Sequence, residues 1–322
     1  MSRERTSLGG WLLRLVGLAV LGLAISLAAF RAPERPLESL VARWAPPPSD
    51  FLDLGGQLVH YRDEGPRHDP LPIVLLHGTA ASLHTWEGWV AALKGGRRVI
   101  SVDLPGFGLT GPSGDGDYSA AAYVRFVLAL LDRLQLARVV LGGNSLGGQT
   151  AWELALQHPA RVAALVLVDA GGHDFRPAAV PPGFRLARLP GVEWLLRGLL
   201  PRRVVEASVL EVYGTPAKVR PELVDRYFEL TLREGNRAAL VQRLRQLRPS
   251  LLIERLPELR QPTLILWGGR DRLIPPAYGE AFAKAIPGSR LQVFETLGHV
   301  PQEEDPAATV AVVADFLHSL KP

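Results

Sequence analysis

Gly142-Gly143-Asn144-Ser145-Leu146-Gly147-Gly148 directly follows the apolar run Arg138–Leu141 and opens a stretch of helical periodicity over Leu146–His158. A strand that turns sharply into a helix around Gly-x-Ser-x-Gly is a nucleophile elbow. The strained turn lifts the serine hydroxyl clear of the backbone, and small residues at 143 and 147 let strand and helix approach closely. The helix amino terminus beneath Ser145 also points backbone N–H groups at any oxyanion forming beside it. Without its flanks the heptapeptide would be a glycine-rich turn carrying an incidental serine; strand before and helix after give it chemical meaning.

Working outward, apolar runs recur at Ile73–Leu76, Arg98–Val102, Ala164–Val168, Thr263–Trp267 and Leu291–Phe294. Between them lie helical patterns at His84–Leu93, Tyr118–Leu134, Ala277–Ile286 and Pro306–Leu320. Such alternation, with strands apolar on both faces, predicts an α/β fold whose mostly parallel sheet is covered by helices on each side. Phe51–Leu54 and Gln57–Tyr61 flank Gly55-Gly56 and predict a leading β-hairpin. About 90 residues separate Asp169 from Thr263, with helix-like stretches at Gly191–Leu200, Glu222–Arg233 and Arg237–Leu247. That interval reads as a helical insertion over the sheet edge.

A serine hydroxyl is a weak nucleophile at neutral pH and needs a base, itself oriented by a carboxylate. Asp271, in Gly268-Gly269-Arg270-Asp271, and His299, in Leu297-Gly298-His299-Val300-Pro301, each lie just past a strand. The order Ser145, Asp271, His299 is the one expected when three such groups converge at the carboxyl edge of an α/β sheet. Asp169, at the end of another strand, is the rival carboxylate. Ile73–Leu76 runs into His77-Gly78-Thr79-Ala80, which would aim the Thr79 N–H at the site opposite that of Leu146, two donors for an oxyanion hole. His77 reads as a loop-holding residue rather than a proton carrier, and Asp103 as a turn-forming carboxylate.

Composition narrows the classes. The chain has 322 residues, 47% apolar and 21% charged, with glycine and proline in no repeating period, so it is globular. A net charge of +4 scattered along the chain gives no reason to expect nucleic acid. The absence of cysteine removes disulfides, thiolate nucleophiles and cysteine-held zinc. Eight histidines with no HExxH pair, and no GxGxxG or GxxxxGK[ST] loop, indicate neither metal nor cofactor.

Leu15 to Phe30 carry no charge, and extending back to Leu8 adds only Arg14. At about 1.5 Å per residue the longer run spans roughly 34 Å, against a hydrocarbon core of about 30 Å. The segment is expected to be an amino-terminal membrane anchor, with a cleaved signal peptide or a buried core helix as rivals. Arginines are balanced at its two ends, three on each side, so only the free amino terminus tips the catalytic part outside the cytoplasm. Ala45-Pro46-Pro47-Pro48 would be a stiff connector.

From about Asp50 to its carboxyl end the chain resembles the serine-nucleophile branch of the α/β-hydrolase superfamily. The resemblance rests on HGTAAS at 77–82, VDLPGFGLT at 102–110, GNSLGG at 143–148, WGGRDRLIP at 267–275 and LGHVPQEEDP at 297–306. It implies Ser145 as nucleophile, His299 as general base and acid, Asp271 as orienting carboxylate, and oxyanion donors at Thr79 and Leu146. It also implies that the insertion is a cap roofing the substrate pocket. The division is then anchor and linker 1–44, core 45–171, cap 172–258 and core 259–322.

Haloalkane dehalogenases and epoxide hydrolases are similar in cap placement but carry aspartate where Ser145 stands. GNSLGG is similar to the carbon–carbon bond hydrolases that open ring-fission products, and occurs in esterases too. An apolar amino-terminal segment is unusual beside the soluble ring-fission enzymes. The leading expectation is therefore a membrane-anchored esterase or lipase-like enzyme acting on small or lipid-like carboxylic esters through an acyl-enzyme. The alternatives are carbon–carbon bond hydrolysis and a membrane-tethered, non-catalytic binding protein. Phe175, Phe184, Trp194, Leu195, Leu196 and Leu199 would line the roof. Arg185, Arg188, Arg197, Arg202 and Arg203 would give the cap a basic surface able to rest on anionic headgroups.

Overall fold

The computed structural model describes residues 8–192, 196 and 198–320. Eight strands form one sheet: β1 (Ser49–Leu54), β2 (Gln57–Glu64), β3 (Ile73–Leu76), β4 (Val99–Val102), β5 (Val139–Asn144), β6 (Val162–Val168), β7 (Thr263–Gly268) and β8 (Arg290–Phe294). Their spatial order is β1-β2-β4-β3-β5-β6-β7-β8. β1, β2 and β4 pair antiparallel, and from β4 to the β8 edge every pairing is parallel. β3, β4, β5 and β7 are buried at every position, which is why they read as unbroken apolar runs.

The helices, in chain order, are α1 (Leu8–Ala29), α2 (Glu38–Trp44), α3 (Glu87–Leu93), α4 (Ala120–Arg133), α5 (Leu146–Gln157), α6 (Pro182–Ala187), α7 (Arg202–Val212), α8 (Pro221–Thr231), α9 (Asn236–Gln246), α10 (Ala277–Ala285), α11 (Pro301–Glu304) and α12 (Pro306–Ser319). α4, α5 and α10 cover one face through Val127, Leu131, Trp152 and Phe282; α3 and α12 cover the other through Trp89, Val90, Val313 and Phe316. Between β6 and β7, α6 to α9 form the inserted helical layer. Ala187, Val192, Leu196, Val241 and Leu244 are its own small core. Trp194, Leu195 and Arg197 lie outside the described residues.

The expected crossing of a bilayer is not supported: among the described residues, no helix is long and apolar enough to cross a membrane. Arg14 interrupts α1 and leaves Leu15–Ala29, which at about 1.5 Å per residue reaches roughly 22 Å of the ~30 Å needed. α1 is nevertheless apolar, and Trp11, Leu12, Leu13, Leu15, Leu18 and Leu21 are each 56–75% exposed.

The segment after α1 is stitched to the inserted helices rather than hung as a linker. The Ala32 N–H donates to Gly198 O at 2.8 Å and Arg35 N–H to Leu232 O at 2.7 Å. Leu40 of α2 is fully buried against Leu109 and Leu230. Arg43 pairs with Glu229, and Trp44 Nε1 donates to the same carboxylate at 2.8 Å. A chain beginning at residue 31 should therefore melt like the whole protein. One beginning at residue 45 loses a buried leucine and the partners of Glu229, about 3 kcal/mol or more, and its Tm in a calorimetric scan should fall by at least about 5 °C.

Candidate active site

At the carboxyl end of β5 the chain enters α5 through Ser145, whose φ of 53° and ψ of −111° lie where few non-glycine residues go. Three hydrogen bonds hold it there. The Ser145 N–H donates to Val168 O at 3.0 Å, and its carbonyl accepts from Gly171 N at 2.9 Å and Gln149 N at 2.9 Å. The glycines are required by contact: a Cβ on Gly143 would overlap the backbone of Gly147, and one on Gly147 would overlap the Leu76 carbonyl. Ala80 and Asp169 also take positive φ, 63° and 42°, so three of the four positive-φ residues other than glycine among the described residues surround this end of the sheet.

Asp271 and His299 arrive on the loops after β7 and β8. Asp271 Oδ1 accepts from Leu273 N at 2.8 Å and Ile274 N at 2.9 Å, while Oδ2 meets His299 Nδ1 at 2.7 Å. Both side chains are buried. One carboxylate oxygen is thus spent on its own loop and the other fixes the imidazole, assigning the ring proton to Nδ1 and leaving Nε2 as acceptor. Ser145, His299, Thr79 and Leu146 all line one cavity of about 360 Å³ beneath the inserted helices.

Two supports of the histidine loop went unnoticed in the sequence. Asn144 Nδ2 donates to Val168 O at 3.2 Å and His299 O at 2.9 Å, tying the elbow to the loop 155 residues away. Buried Glu304 accepts the backbone N–H groups of Gly298 at 2.8 Å, Gly214 at 2.9 Å and Thr215 at 2.7 Å, while His299 N–H donates to Val212 O at 2.7 Å. The cap is therefore bonded to the backbone beside His299. Glu304 sits in an acidic run, Glu303-Glu304-Asp305, and the fold turns it inward, where it is buried against these N–H groups.

Asp169, the rival carboxylate, is fully buried, and its Oδ1 accepts from Gly268 N at 2.9 Å. Burial first, and Asp271 beside it second, push its carboxyl well above the ordinary range, which favours the protonated form. Ligand atoms of Asp169, Asp271 and His299 lie within 4.8 Å of one another. Three of their oxygens and the imidazole Nδ1 are already engaged with each other and with loop N–H groups: Asp271 Oδ1 with Leu273 and Ile274, Asp271 Oδ2 with His299 Nδ1, and Asp169 Oδ1 with Gly268.

At the end of β3, His77 Nδ1 donates to Gly78 O at 2.7 Å and Nε2 accepts the Leu104 N–H at 2.9 Å. Both ring nitrogens are spent on loops, and burial lowers its pKa. Buried Asp103 accepts from Leu83 N at 2.7 Å and Leu109 N at 2.8 Å and meets His60 Nδ1 at 2.7 Å. Burial alone would raise the Asp103 pKa, but His60 and His77 outweigh it and hold the carboxyl far below its usual range. His84 bonds Ser82 Oγ at 3.0 Å and Trp44 O at 2.8 Å, and burial lowers its pKa to about 4. The folded state thus disfavours a charged His84. Its contribution to stability is complete above the unfolded pKa of about 6.5 and is lost as pH falls from there toward 4, by about 1.4 kcal/mol per pH unit. Denaturant titrations between pH 7.5 and 4 should show stability falling with pH, and His84→Gln should remove its own share of that fall, leaving the share that buried His77 contributes in the same direction.

The cavity wall is mostly apolar. Of the roof residues expected from sequence, Phe175, Phe184 and Leu196 line it, whereas Leu200 rather than Leu199 faces it. Arg202 is held by Asp225 at 2.7 Å, and Arg188 lies exposed at the cavity edge.

A family model described as the alpha/beta hydrolase fold matches residues 72–306. An uncharacterised protein of Mycobacterium tuberculosis is 32% identical over 300 residues, covering 86% of this chain and 83% of that one. A 2-hydroxy-6-oxononadienedioate/2-hydroxy-6-oxononatrienedioate hydrolase of Pseudomonas putida is 31% identical over 278 residues, covering 80% and 91%. Among solved structures, a membrane phospholipase A described as a bacterial virulence factor superposes with a TM-score of 0.72 at 25% identity, covering 99% of each chain.

Proposed function

Since the chain belongs to the α/β-hydrolase fold family, we propose that it is a serine hydrolase in which Ser145 attacks a carbonyl carbon and forms an acyl-enzyme. The observation that carries this reading is the 2.7 Å bond between Asp271 and His299 on the wall of the cavity that also holds Ser145. His299 Nε2 takes the Ser145 Oγ proton as the C–O bond forms, and the Thr79 and Leu146 N–H groups receive the oxyanion. Collapse expels the leaving group, which takes the proton back from His299. Water then repeats the sequence on the acyl-enzyme, and the acid is released.

For the bond that breaks, the named hydrolase relative favours a carbon–carbon bond next to the carbonyl, as in ring-fission products. Release of an enol or carbanion in place of an alkoxide uses the same serine, base and oxyanion donors. A second reading, ester cleavage, rests on the match to a membrane phospholipase A along the whole chain and on the apolar cavity wall. In that reading the exposed side chains of α1 contact a lipid surface. The test sets 2-hydroxy-6-oxonona-2,4-dienedioate against p-nitrophenyl esters from acetyl to palmitoyl. Loss of the dienoate chromophore with little ester turnover establishes the first; a Ser145-dependent burst with a chain-length optimum establishes the second. No Ser145-dependent turnover of either substrate class would sink the serine-hydrolase reading.

A further inference from the structure

Two arginines of the inserted layer, Arg226 on α8 and Arg243 on α9, are treated in opposite ways. Arg226 is neutralised: Glu303 lies 2.7 Å from Nη2 and Glu87 3.6 Å from Nη1. Arg243, on α9 and 4% exposed, forms no ion pair among the described residues. Its Nη1 donates weakly to Tyr118 O at 3.3 Å, its guanidinium carbon stands 5.8 Å from the centre of the Tyr123 ring, and Nε has no hydrogen-bond partner. The nearest acid that acts on it is Glu153, which is beyond ion-pair distance, accepts from Gln149 Nε2 at 2.9 Å and is absent from the cavity wall.

A buried cation without a counter-ion is costly, and a carbonyl with one aromatic face offsets only part of that cost. Arginine cannot escape by losing its proton, since a guanidinium keeps its charge in a protein interior. Arg243 lines the cavity that contains Ser145. Among the described residues, the charged groups sharing that wall are mainly basic: Arg188, Arg237 and Arg248 stand against the single acid Asp174. Arg188, Arg248 and Asp174 are exposed at the edge, and Arg237 Nη1 is engaged by Ala32 O at 2.7 Å. Arg237 and Arg243 are the two deep cations of this wall, 2% and 4% exposed; Arg237 has the close bond to Ala32 O, whereas Arg243 has, among the described residues, only the long contact to Tyr118 O and an Nε donor still to satisfy.

We propose that Arg243 is an anion-binding subsite of this cavity, so that the substrate carries an oxyanion, carboxylate or phosphate, which pairs with the Arg243 guanidinium while its carbonyl sits at Ser145. The inference rests on the serine-hydrolase reading for the position of the carbonyl and adds the chemical class of the substrate's other end. Guanidinium and oxyanion match as a fork of parallel N–H donors against two oxygens, and the surrounding apolar wall keeps water from screening the pair. An apolar chain between the two ends would fill the space among Phe184, Leu196 and Leu240.

Binding to the Ser145→Ala protein tests this without any turnover. The probes are monomethyl adipate, which ends in a carboxylate, its neutral counterpart dimethyl adipate, and hexyl phosphate, each titrated by calorimetry. The expected result is a Kd for at least one anion about tenfold or more below that of dimethyl adipate. Adding Arg243→Gln should abolish the difference while leaving dimethyl adipate binding within about threefold, and adding Arg243→Lys should keep a reduced preference. Tighter binding of monomethyl adipate identifies a carboxylate source, and tighter binding of hexyl phosphate a phosphate one. Equal affinity for anion and neutral diester, or a preference that survives Arg243→Gln, would overturn the proposal. Absence of Ser145-dependent turnover, with anion preference intact, would instead fault the catalytic reading alone.

Discussion

Replacing Ser145 by alanine is expected to lower turnover of the preferred substrate by about four to six orders of magnitude while leaving the fold intact, since a triad nucleophile acts as a unit with its base. The side chain removed is one hydroxyl at a position whose unusual backbone is held by its own N–H and C=O, not by Oγ. Circular dichroism and melting temperature should therefore match the wild type, and only the chemistry should fail. In the proposed mechanism, binding and the oxyanion donors at Thr79 and Leu146 should survive the change. Stopped-flow measurement with the preferred substrate, on both proteins, decides the point. Activity above a tenth of wild type would move the nucleophile to another residue.

The second large effect separates two aspartates whose ligand atoms lie within 4.8 Å of each other. Asp271→Asn should reduce kcat by about 10³ to 10⁴, because an amide facing Nδ1 no longer fixes the imidazole in the tautomer whose Nε2 can accept the serine proton. Asp169→Asn should change kcat by no more than a few-fold. Burial favours the protonated form of Asp169, and an amide of the same shape keeps the bond it accepts from Gly268. The opposite ranking would assign the orienting carboxylate to Asp169. The sequence favours Asp271 and keeps Asp169 as its rival, since each follows an apolar strand; the 2.7 Å contact of Asp271 Oδ2 with His299 Nδ1 supports that choice.

The parts legible in the sequence are those determined by local pattern. The apolar runs of β3 to β7 announce a sheet covered on both faces, and the order of motifs along the chain places the elbow and its partners at the strand ends. Helix edges shifted by a residue or two where caps intervene, as at α4, where Ser119 Oγ accepts the Ala122 N–H at 3.2 Å and starts the helix at Ala120. β5 runs on to Asn144 because its glycines continue to pair with β3 and β6, a long-range bond that no local propensity signals.

The amino-terminal segment and the charged residues show where pattern reading stops. Apolarity by itself suggested a span, but the position of Arg14 within α1 decides the length available, and the contacts of Ala32, Leu40 and Trp44 decide that the residues after α1 belong with the inserted helices. Glu304 and Arg243 look alike in the sequence, charged residues in charged runs. One is folded inward to hold three backbone N–H groups beside His299 and the other to face the cavity without a counter-ion. By itself, then, the sequence determined the sheet, the elbow and the candidate trio of serine, aspartate and histidine, because periodicity and turn chemistry are local. Tertiary structure alone decided which aspartate is buried against its neighbour, what braces the histidine loop and which arginine faces the cavity without a counter-ion. Burial, charge pairing and hydrogen-bond completion depend on neighbours distant in the sequence, such as Gly268 for Asp169, Gly214 and Thr215 for Glu304 and Tyr118 for Arg243.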